Sequence, residues 1–191
     1  AGIQKPISTF IENNMNDWLN NISINLIGTA NIIHSFLNVK VKGKQYRKII
    51  NFSGGGATSS RPNFSAYAIA KTAVIRMTEI LAEELIDNNI DVNAVAPGAI
   101  NTNMLKEIID AGPQAGDEYK IALKRKNNGG APINKIVDLC RFLISSESNG
   151  ISGKLISAIW DDYKGSDFIE RLRVDSDFCT LRRIDAKNYD R

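Results

Sequence analysis

A tyrosine and a lysine stand four residues apart, at Tyr67 and Lys71, in a stretch with helical spacing of apolar residues. On a helix this spacing places the phenol and the ammonium on one face, about one turn apart. At about 4 Å and an effective dielectric near 20, the two charges interact by roughly 4 kcal/mol, enough to lower the pKa of a tyrosine from about 10 toward neutrality. The pair therefore predicts a tyrosine that acts as general acid or base near pH 7.

The apolar residues around this pair alternate between helical and strand patterns. Residues 15–37 and 64–88 repeat apolar side chains at helical spacing, which predicts two long helices. Residues 49–52 and 90–96 are short apolar runs, typical of strands buried on both faces of a parallel sheet. The basic stretch 40–48 predicts a surface turn before the first strand. The order of these elements favours a doubly wound α/β fold with a parallel sheet.

The second half of the chain continues this alternation. Residues 101–111 and 114–126 predict two short polar helices, and residues 134–145 predict a further helix. Residues 154–160 predict a third strand. Residues 161–191 form a charged tail with scattered apolar residues, which is either an ordered arm or partly disordered.

The composition narrows the classes of function. A chain of 191 residues, 43% hydrophobic and 24% charged, suits one globular domain, which we place at residues 1–160, followed by the tail of residues 161–191. The net charge of +3 comes from scattered basic residues, which argues against a nucleic-acid partner. No apolar run approaches the roughly 20 residues of a membrane span, which argues against a membrane protein. We expect a cytoplasmic metabolic enzyme that acts on a small molecule.

The cysteine and histidine content argues against a metal site. Cys140 and Cys179 are the only cysteines, and they lack the spacing of a metal-binding pair. We expect two free thiols in a reducing compartment. The only histidine, His34, is expected to be a packed or surface residue, and Cys140 is expected to lie in the core.

Motifs along most of the chain follow the order and spacing of one enzyme family. The Tyr67 to Lys71 motif follows a strand and a loop rich in glycine and serine, and the next strand ends in Pro97-Gly98. In these features the sequence resembles the short-chain dehydrogenase/reductase family. The resemblance runs from Ala1-Gly2, similar to the end of an Asn-Asn-Ala-Gly turn, to about Trp160. It implies a Rossmann-like fold, NAD or NADP as cofactor, and hydride transfer between the nicotinamide and a carbonyl or alcohol substrate.

The resemblance also implies roles for individual residues. Tyr67 exchanges a proton with the substrate oxygen, and Lys71 lowers the pKa of Tyr67 and binds the nicotinamide ribose. Asn25, in the first long helix, matches the family asparagine that supports the lysine through water. Further residues are expected to line the nicotinamide end of the cofactor, namely Gly2, Pro97, Gly98, Ile100 and Thr102.

The chain departs from the family at the serine that positions the substrate carbonyl, because Gly54 stands at that place. Ser53 lies one residue earlier and is the catalytic hydroxyl that we select, although it needs a local bulge to face the same site. The hydroxyls of residues 58–60 are alternatives. Residues 54–56 can also be interpreted as a phosphate-binding loop, but no Gly-Lys-Ser or Gly-Lys-Thr follows them.

The pyrophosphate-binding elements of the family have no counterpart before Ala1. In complete relatives these elements are a first strand, a glycine-rich turn and the helix that follows it. We therefore expect a doubly wound fold that is incomplete at its amino end, in a fragment or a part of a longer chain. The two long helices form the dimer surface in relatives, so the resemblance also implies a homodimer or homotetramer.

Two other functions remain open. The first is epimerisation or dehydration of a nucleotide sugar on the same scaffold, with Tyr67 as the base and Gly54 leaving room for a different substrate group. The second is a non-catalytic binding or regulatory protein. Gly54 and the missing nucleotide segment favour it, and the retained Tyr67, Lys71 and Asn25 oppose it. The tail motif Thr180-Leu181-Arg182-Arg183 resembles the ends of reductases of bacterial surface-sugar synthesis, which implies a sugar-related substrate.

Overall fold

A computed structural model of the chain describes residues 2–40 and 46–184. Within these residues the central element is a parallel sheet of three strands in the order β1-β2-β3. Strands β1 and β2 pair from Arg47 opposite Ile90 to Phe52 opposite Val95. The predicted parallel α/β architecture is therefore confirmed. The strands are β1 (Arg47–Phe52), β2 (Ile90–Ala96) and β3 (Leu155–Ser157).

The predicted helices are present, with ends that differ from the predictions by a few residues. The long helical stretch at residues 15–37 consists of two α-helices joined by a π-helical segment, Ser23–Ile27. Within the described ranges the α-helices are α1 (Met15–Ile22), α2 (Gly28–Leu37), α3 (Ser65–Glu84), α4 (Asn103–Ala111), α5 (Asp117–Asn128), α6 (Ile133–Ile144) and α7 (Ser166–Val174).

Helices cover both faces of the sheet, as a doubly wound fold requires. Alternate residues of a strand point to opposite faces. Ile49 and Val92 pack with side chains of α2 and α3 in one apolar core. Ile50 and Val95 pack with side chains of α6 in a second core. Val92 and Val95 are completely buried, and burial of each side chain contributes roughly 1.5–3 kcal/mol.

The prediction of a surface turn at residues 40–48 is wrong for its last two residues. Residues 41–45 lie outside the described residues. Arg47 and Lys48 belong to β1. The Lys48 ammonium pairs with the Asp91 carboxylate on β2 at 2.6 Å, and both side chains are largely buried. This cross-strand ion pair allows a basic residue to lie largely buried in β1, and the charge pattern alone does not indicate it.

Strand β3 is shorter than the strand predicted at residues 154–160. The Asp161 carboxylate accepts a hydrogen bond from the Ser157 amide at 2.7 Å. The Ser157 hydroxyl accepts hydrogen bonds from the amides of Ile159 and Trp160 at 3.2 and 3.1 Å. Side-chain bonds of this kind compete with strand pairing, so the chain turns after Ser157.

The charged tail is an ordered arm over its described residues. Leu172 of α7 is buried in the core on the α6 face of the sheet. The Lys154 ammonium donates to the carbonyl oxygens of Asp175, Ser176 and Phe178 at 2.7, 3.3 and 3.0 Å. The arm is thus attached to the start of β3. The proposed domain boundary after residue 160 stays a prediction.

Helices α4 and α5 form a separate layer beside the sheet. Their side chains build a small apolar core of their own, in which Leu105, Ile108 and Ala122 pack with Ile7 and Phe64. Phe64 has no exposed surface. This layer therefore joins the first residues of the chain to the residues that begin α3.

Within residues 2–40 and 46–184, no helix is long and apolar enough to cross a membrane. In the same ranges, no group of three or more His, Cys, Asp or Glu side chains is placed to hold a metal ion. Both cysteines are free, and Cys140 packs partly buried at the edge of the core. His34 is exposed on α2.

Candidate active site

The candidate site lies at the carboxyl ends of β1 and β2, the edge at which parallel α/β sheets bind ligands. Ser53 follows β1 directly, and its amide donates to the Val95 carbonyl at 2.9 Å. This bond extends the pairing of the two strands beyond the last residue of β1. The chain leaves the sheet at Gly54, and a loop leads into α3.

Helix α3 directs Tyr67 and Lys71 toward the end of β1. The exposed fraction is 4% for Tyr67 and 8% for Lys71. Ala66 and Ala70 have no exposed surface, and their small side chains allow α3 to approach the sheet closely. The Lys71 ammonium donates to the carbonyl of Phe52, the last residue of β1, at 3.0 Å. The buried face of α3 therefore holds the predicted pair, Tyr67 and Lys71, at the end of β1.

Gly54 packs directly against the phenol of Tyr67. A Cβ atom placed on Gly54 would lie 2.8 Å from Cζ and 2.9 Å from Cε1 of Tyr67, and closer still to Oη. Such distances are well inside the optimal separation of nonbonded carbon atoms, about 3.5–4.0 Å. Position 54 lies at the site, as the family pattern implies. The space that a side chain would need there is filled by the tyrosine.

The hydroxyl groups considered as replacements for the family serine lie in different surroundings. Ser53 is buried at the end of β1, with 5% of its surface exposed. Residues 58–60 are exposed in the loop before α3. Ser53 therefore remains the preferred residue for this role, and the role itself stays a prediction.

The pKa of Tyr67 is raised above its ordinary value in this structure, and the expectation that Lys71 lowers it stays a prediction. Burial of the phenol raises the pKa most, the nearby Arg61 cation lowers it, and Glu107 raises it. The Lys71 ammonium binds Phe52 instead and lies 5.8 Å from the centre of the Tyr67 ring. Burial lowers the pKa of Lys71. Both groups are thus shifted toward their neutral forms.

Two residues near Tyr67 were not predicted from the sequence. The Arg61 guanidinium lies 3.8 Å from the ring centre of Phe64 and 5.9 Å from that of Tyr67, and it pairs with Glu118 on α5 at 3.1 Å. Met104 on α4 places its Sδ 4.0 Å from Tyr67 Oη. The position of Arg61 in the loop before Tyr67 is a weak sequence signal for its contact with the tyrosine. The contact of Met104 with Tyr67 has no sequence signal.

Asn25 is buried in the π-helical segment between α1 and α2. π-Helical segments are rare in proteins, and many of those that occur are at functional sites. The Asn25 amide group donates to the Ile3 carbonyl and to the Asn21 side-chain oxygen, each at 2.9 Å. Its Oδ1 is buried without a hydrogen-bond partner among the residues described. The Asn25 carbonyl oxygen accepts a hydrogen bond from the Thr29 hydroxyl at 2.9 Å. The expected support of Lys71 by Asn25 through water stays a prediction.

Gly2 lies beside Asn25 and the first turn of α4. A Cβ atom on Gly2 would lie 3.1 Å from Asn25 Oδ1 and 2.9 Å from Met104 Cε. The structure therefore brings the first residues of the chain, the π-helical segment and α4 together. A contact between Gly2 and a cofactor stays a prediction.

Residues 97–102 connect β2 to α4. Gly98 has φ +75°, and a Cβ there would lie 2.7 Å from Ile159 Cγ1, so glycine is required at this turn. Ile100 packs against the core on the α6 face. Thr102 caps α4, with its hydroxyl oxygen accepting from an amide of the first turn at 3.3 Å. These residues follow β2 at the same sheet edge as the tyrosine, and their contacts with the nicotinamide stay predictions.

The donor groups of this site fit the nicotinamide end of a dinucleotide. A lysine ammonium has three hydrogens to donate, and Phe52 accepts one of those of Lys71. The remaining hydrogens can bind the hydroxyl oxygens of a ribose. Tyr67 lies one turn away on the same helix, where its hydroxyl can face the substrate.

Comparison with known proteins identifies relatives over most of the chain. A family model described as enoyl-(acyl carrier protein) reductase matches residues 1–158. Curated relatives include 3-oxoacyl-[acyl-carrier-protein] reductase of Thermotoga maritima, 32% identical over 140 residues, and dehydrogenase/reductase SDR family member 6 of Xenopus laevis, 31% identical over 139 residues. These alignments cover 73% and 72% of this chain but 54% and 56% of the relatives. The chain therefore spans about half the length of the curated relatives that it matches.

Solved structures of lower identity share the fold. NAD+-bound xylitol dehydrogenase has a TM-score of 0.68 at 21% identity, over 82% of this chain and 64% of that chain. The ligand-free aldohexose dehydrogenase of Thermoplasma acidophilum has a TM-score of 0.69 at 22% identity, over 82% of this chain and 63% of that chain. Because the family model covers most of the sequence and the motifs meet at one sheet edge, the chain belongs to the short-chain dehydrogenase/reductase family.

Proposed function

We propose that this protein is an NAD(P)-dependent oxidoreductase that transfers a hydride between nicotinamide and a carbonyl or alcohol substrate. The observation that carries the proposal is the placement of Tyr67, which is buried on α3 with its hydroxyl beside Gly54 at the end of β1. Lys71 is bound to the same strand end. A titratable hydroxyl and an ammonium thus converge at the ligand-binding edge of a parallel sheet.

In this proposal Tyr67 supplies or removes the proton of the reaction. Burial raises the pKa of Tyr67, so the phenol keeps its proton near pH 7. In reduction, Tyr67 Oη donates this proton to the carbonyl oxygen. A reduced nicotinamide held by Lys71 would supply the hydride to the carbonyl carbon. In oxidation, the phenolate accepts the proton of the alcohol. The Arg61 cation, which lowers the pKa of Tyr67, favours that second direction.

The other residues of the site bind the cofactor and the substrate and orient them. Lys71 binds the ribose hydroxyls with the hydrogens that Phe52 does not accept. Asn25 supports Lys71 through water, and its unpaired Oδ1 is an acceptor for such a water. Ser53 binds the substrate oxygen. The nicotinamide of NAD or NADP would be lined by residues at the edge of the site, namely Gly2, Pro97, Gly98, Ile100 and Thr102.

The proposed substrate is a carbonyl compound or the corresponding alcohol. The Thermotoga maritima relative is a 3-oxoacyl-[acyl-carrier-protein] reductase, which supports a carbonyl as the group that reacts. A sugar-related carbonyl is a second class, based on the resemblance of the tail motif. Both classes belong in the substrate panel that tests the proposal.

Gly54 favours a second function, in which the chain binds ligands without hydride transfer or converts a nucleotide sugar by epimerisation or dehydration. Gly54 provides no hydroxyl, and a side chain there would overlap Tyr67. Turnover of reduced cofactor separates these functions from a reductase. Consumption of reduced cofactor with any carbonyl in the panel would exclude the second function.

A homodimer or homotetramer is part of the same proposal. Apolar side chains are exposed on both long helical stretches, and contacts between subunits that cover them would stabilise an assembly. The exposed apolar residues are Met15, Leu19, Ile27 and Ile32 on α1, the π-helical segment and α2, and Ile69 and Ile80 on α3.

The free thiols of Cys140 and Cys179 support a reducing location such as the cytoplasm.

The test of the proposed function is Tyr67→Phe, which removes the hydroxyl and keeps the ring. We expect the rate of carbonyl reduction, followed as loss of NADH or NADPH absorbance, to fall at least about 10²-fold. Tyr46→Phe is the matched control, because Tyr46 is exposed before β1 and should leave the rate unchanged. Equal rates for Tyr67→Phe and the wild type would reject Tyr67 as the proton donor.

A further inference from the structure

The Arg61 guanidinium places a second positive group beside Tyr67. Its Cζ lies 5.9 Å from the ring centre of Tyr67, and its charge lowers the pKa of that phenol. Proton transfer by Tyr67 does not by itself require a cation in the loop before α3. Two polar groups this close can instead bind one small molecule at the same time. An anionic group on the substrate is the natural partner for this cation.

Contacts on several sides hold this guanidinium in place. It stacks on the ring of Phe64, which has no exposed surface, at 3.8 Å from the ring centre. Its Nε and Nη2 donate to the two carboxylate oxygens of Glu118 at 3.3 and 3.1 Å, and Nη2 lies 3.4 Å from Gln4 Oε1. Only 11% of the Arg61 side chain is exposed. A cation held in this way is pre-organised, so binding an anion orders little more of the protein.

The Nη1 group of Arg61 is the part of the guanidinium that can bind a ligand. A guanidinium has five N–H hydrogens, and Nη1 carries two of them. Within residues 2–40 and 46–184 these hydrogens form no hydrogen bond, because the bonds of the side chain come from Nε and Nη2. A Cβ atom on Gly55 would lie 3.4 Å from Nη1, and Gly55 is exposed. The glycine therefore leaves Nη1 open to a molecule that enters from solvent.

The neighbouring acidic groups leave this part of the guanidinium unoccupied. The Glu118 side chain is 31% exposed, against 11% for Arg61, so water screens the carboxylate more than the cation. Glu107, a further acidic group near the phenol, accepts hydrogen bonds from the amides of Gln4 and Lys5 at 2.6 and 3.2 Å. A ligand on Nη1 therefore displaces neither carboxylate, and α4 and α5 keep their positions and their apolar packing.

We propose that Arg61 is a specificity-determining residue that binds a carboxylate of the substrate through the hydrogens of Nη1. The inference rests on the proposed function and names its substrate class, an oxo acid or the corresponding hydroxy acid. Tyr67 exchanges the proton with the carbonyl or alcohol oxygen, while Arg61 holds the carboxylate at a neighbouring carbon. A neutral carbonyl compound of the same size lacks this second attachment. Charge-assisted hydrogen bonds are the stronger ones, so the site prefers the acid.

Substrates that differ only in charge test this assignment. The acids 2-oxobutanoate and 3-oxobutanoate are compared with their methyl esters, which keep the carbonyl group and remove the charge. We expect Arg61→Gln to raise KM for at least one acid about tenfold or more and to leave KM for its ester unchanged. Lys120→Gln, at an exposed position of α5, is the control for loss of a positive charge. The same ratio of acid KM to ester KM in Arg61→Gln and the wild type would overturn the assignment.

Glu118→Gln separates ligand binding from a purely structural role of Arg61. Arg61→Gln and Glu118→Gln remove the same 3.1 Å ion pair between the loop and α5. If Arg61 only fastened α5, both variants would change KM for the acids in the same direction. Glu118→Gln keeps the cation and removes a carboxylate that repels an anionic ligand, so we expect KM for the acids to fall several-fold. A rise in this KM, as in Arg61→Gln, would overturn the proposal.

Ligand-observed NMR of the whole chain with the same two acids measures binding without cofactor or turnover. We expect a measurable Kd for the wild type, a lower Kd for Glu118→Gln and loss of binding in Arg61→Gln. This pattern in a protein that reduces no carbonyl compound would reject the proposed function and support the carboxylate site. No binding of either acid to the wild type, or equal Kd for the wild type and Arg61→Gln, would overturn the site even in an active reductase.

Discussion

At the residue scale, Gly54 and Tyr67 determine each other's position. The family pattern has a serine where this chain has Gly54, and a Cβ atom there would overlap the phenol. Tyr67 therefore occupies space that a side chain would otherwise take. The glycine is thus a part of the site that allows this tyrosine position, and the substrate oxygen must find its second hydrogen bond elsewhere.

Gly54→Ala should lower both stability and activity. The added methyl group overlaps Tyr67, and overpacking of this kind costs about 1–3 kcal/mol. Urea denaturation and the rate of carbonyl reduction measure the two effects. Gly28→Ala is the matched control, because a Cβ on Gly28 would lie 3.6 Å from its nearest neighbour, an ordinary contact. A Gly54→Ala protein as stable and active as the wild type would contradict the packing described here.

Arg61→Gln should shift the pH dependence of alcohol oxidation. The Arg61 cation lowers the pKa of Tyr67, while burial and Glu107 raise it. Loss of the cation therefore raises that pKa further, and the phenolate forms at higher pH. The rising limb of the pH–rate profile should move to higher pH. Glu118→Gln removes the ion pair at 3.1 Å but keeps the cation, so it should leave the limb in place. Movement to lower pH would contradict the assigned sign.

The sequence predicts the residues of the site that depend on local spacing. Tyr67 and Lys71 lie one helical turn apart, a spacing that can be seen in the sequence. Residues 97–102 follow β2, a strand that its run of apolar residues predicts. Met104 reaches Tyr67 across 37 positions of the chain, which no local pattern encodes. The sequence also does not show that the pKa of Tyr67 is raised, because burial, which raises it most, is a property of the packed structure.

At the element scale, Lys154 attaches the arm that follows β3. Its ammonium is bound by three backbone carbonyls at Asp175, Ser176 and Phe178, just after α7. Burial lowers the pKa of Lys154, while Asp175 and other neighbouring acidic groups raise it. The Leu155 amide of β3 also donates to the Cys179 carbonyl at 2.8 Å, so Lys154 and β3 together connect the end of the arm to the sheet. The arm residues in turn cover part of the α6 face.

Lys154→Met should destabilise the fold and loosen the arm. Loss of hydrogen bonds from a charged donor costs about 2 kcal/mol, and the carbonyls left behind lose their partner. We expect a lower urea midpoint and faster proteolytic cleavage after α7. Lys164→Met is the control, because that exposed side chain makes a 3.7 Å ion pair with Asp138 and lies 5.9 Å from the ring centre of Tyr163, away from the end of the arm. Equal cleavage rates for the two variants would show that Lys154 does not anchor the arm.

Elements with a strong apolar period were predicted well, and elements controlled by polar side chains were not. The helices at residues 15–37 and 64–88 follow from spacing alone, because one face is buried along their length. Strand β3 ends early because Ser157 and Asp161 bind backbone amides. Lys48 lies in β1 because Asp91 stands opposite to it. These partners become visible only when the strands are paired.

At the scale of the whole molecule, the sheet, the two long helical stretches and the α4 and α5 layer converge on one edge. Ser53 follows β1 and residues 97–102 follow β2 at the same edge of the sheet, and α3 adds Tyr67 and Lys71. The family model covers residues 1–158, the part of the chain that builds this edge. We expect the nicotinamide to bind there through Lys71.

The most direct test of this account is a calorimetric titration of the chain with NADH and with NADPH. We expect saturable binding of at least one of them, weakened about tenfold or more, or about 1.4 kcal/mol, in Lys71→Met. Lys124→Met, at an exposed position on α5, should bind as the wild type does. Equal affinity of Lys71→Met and the wild type, or binding to neither, would contradict the assignment of Lys71 to the cofactor.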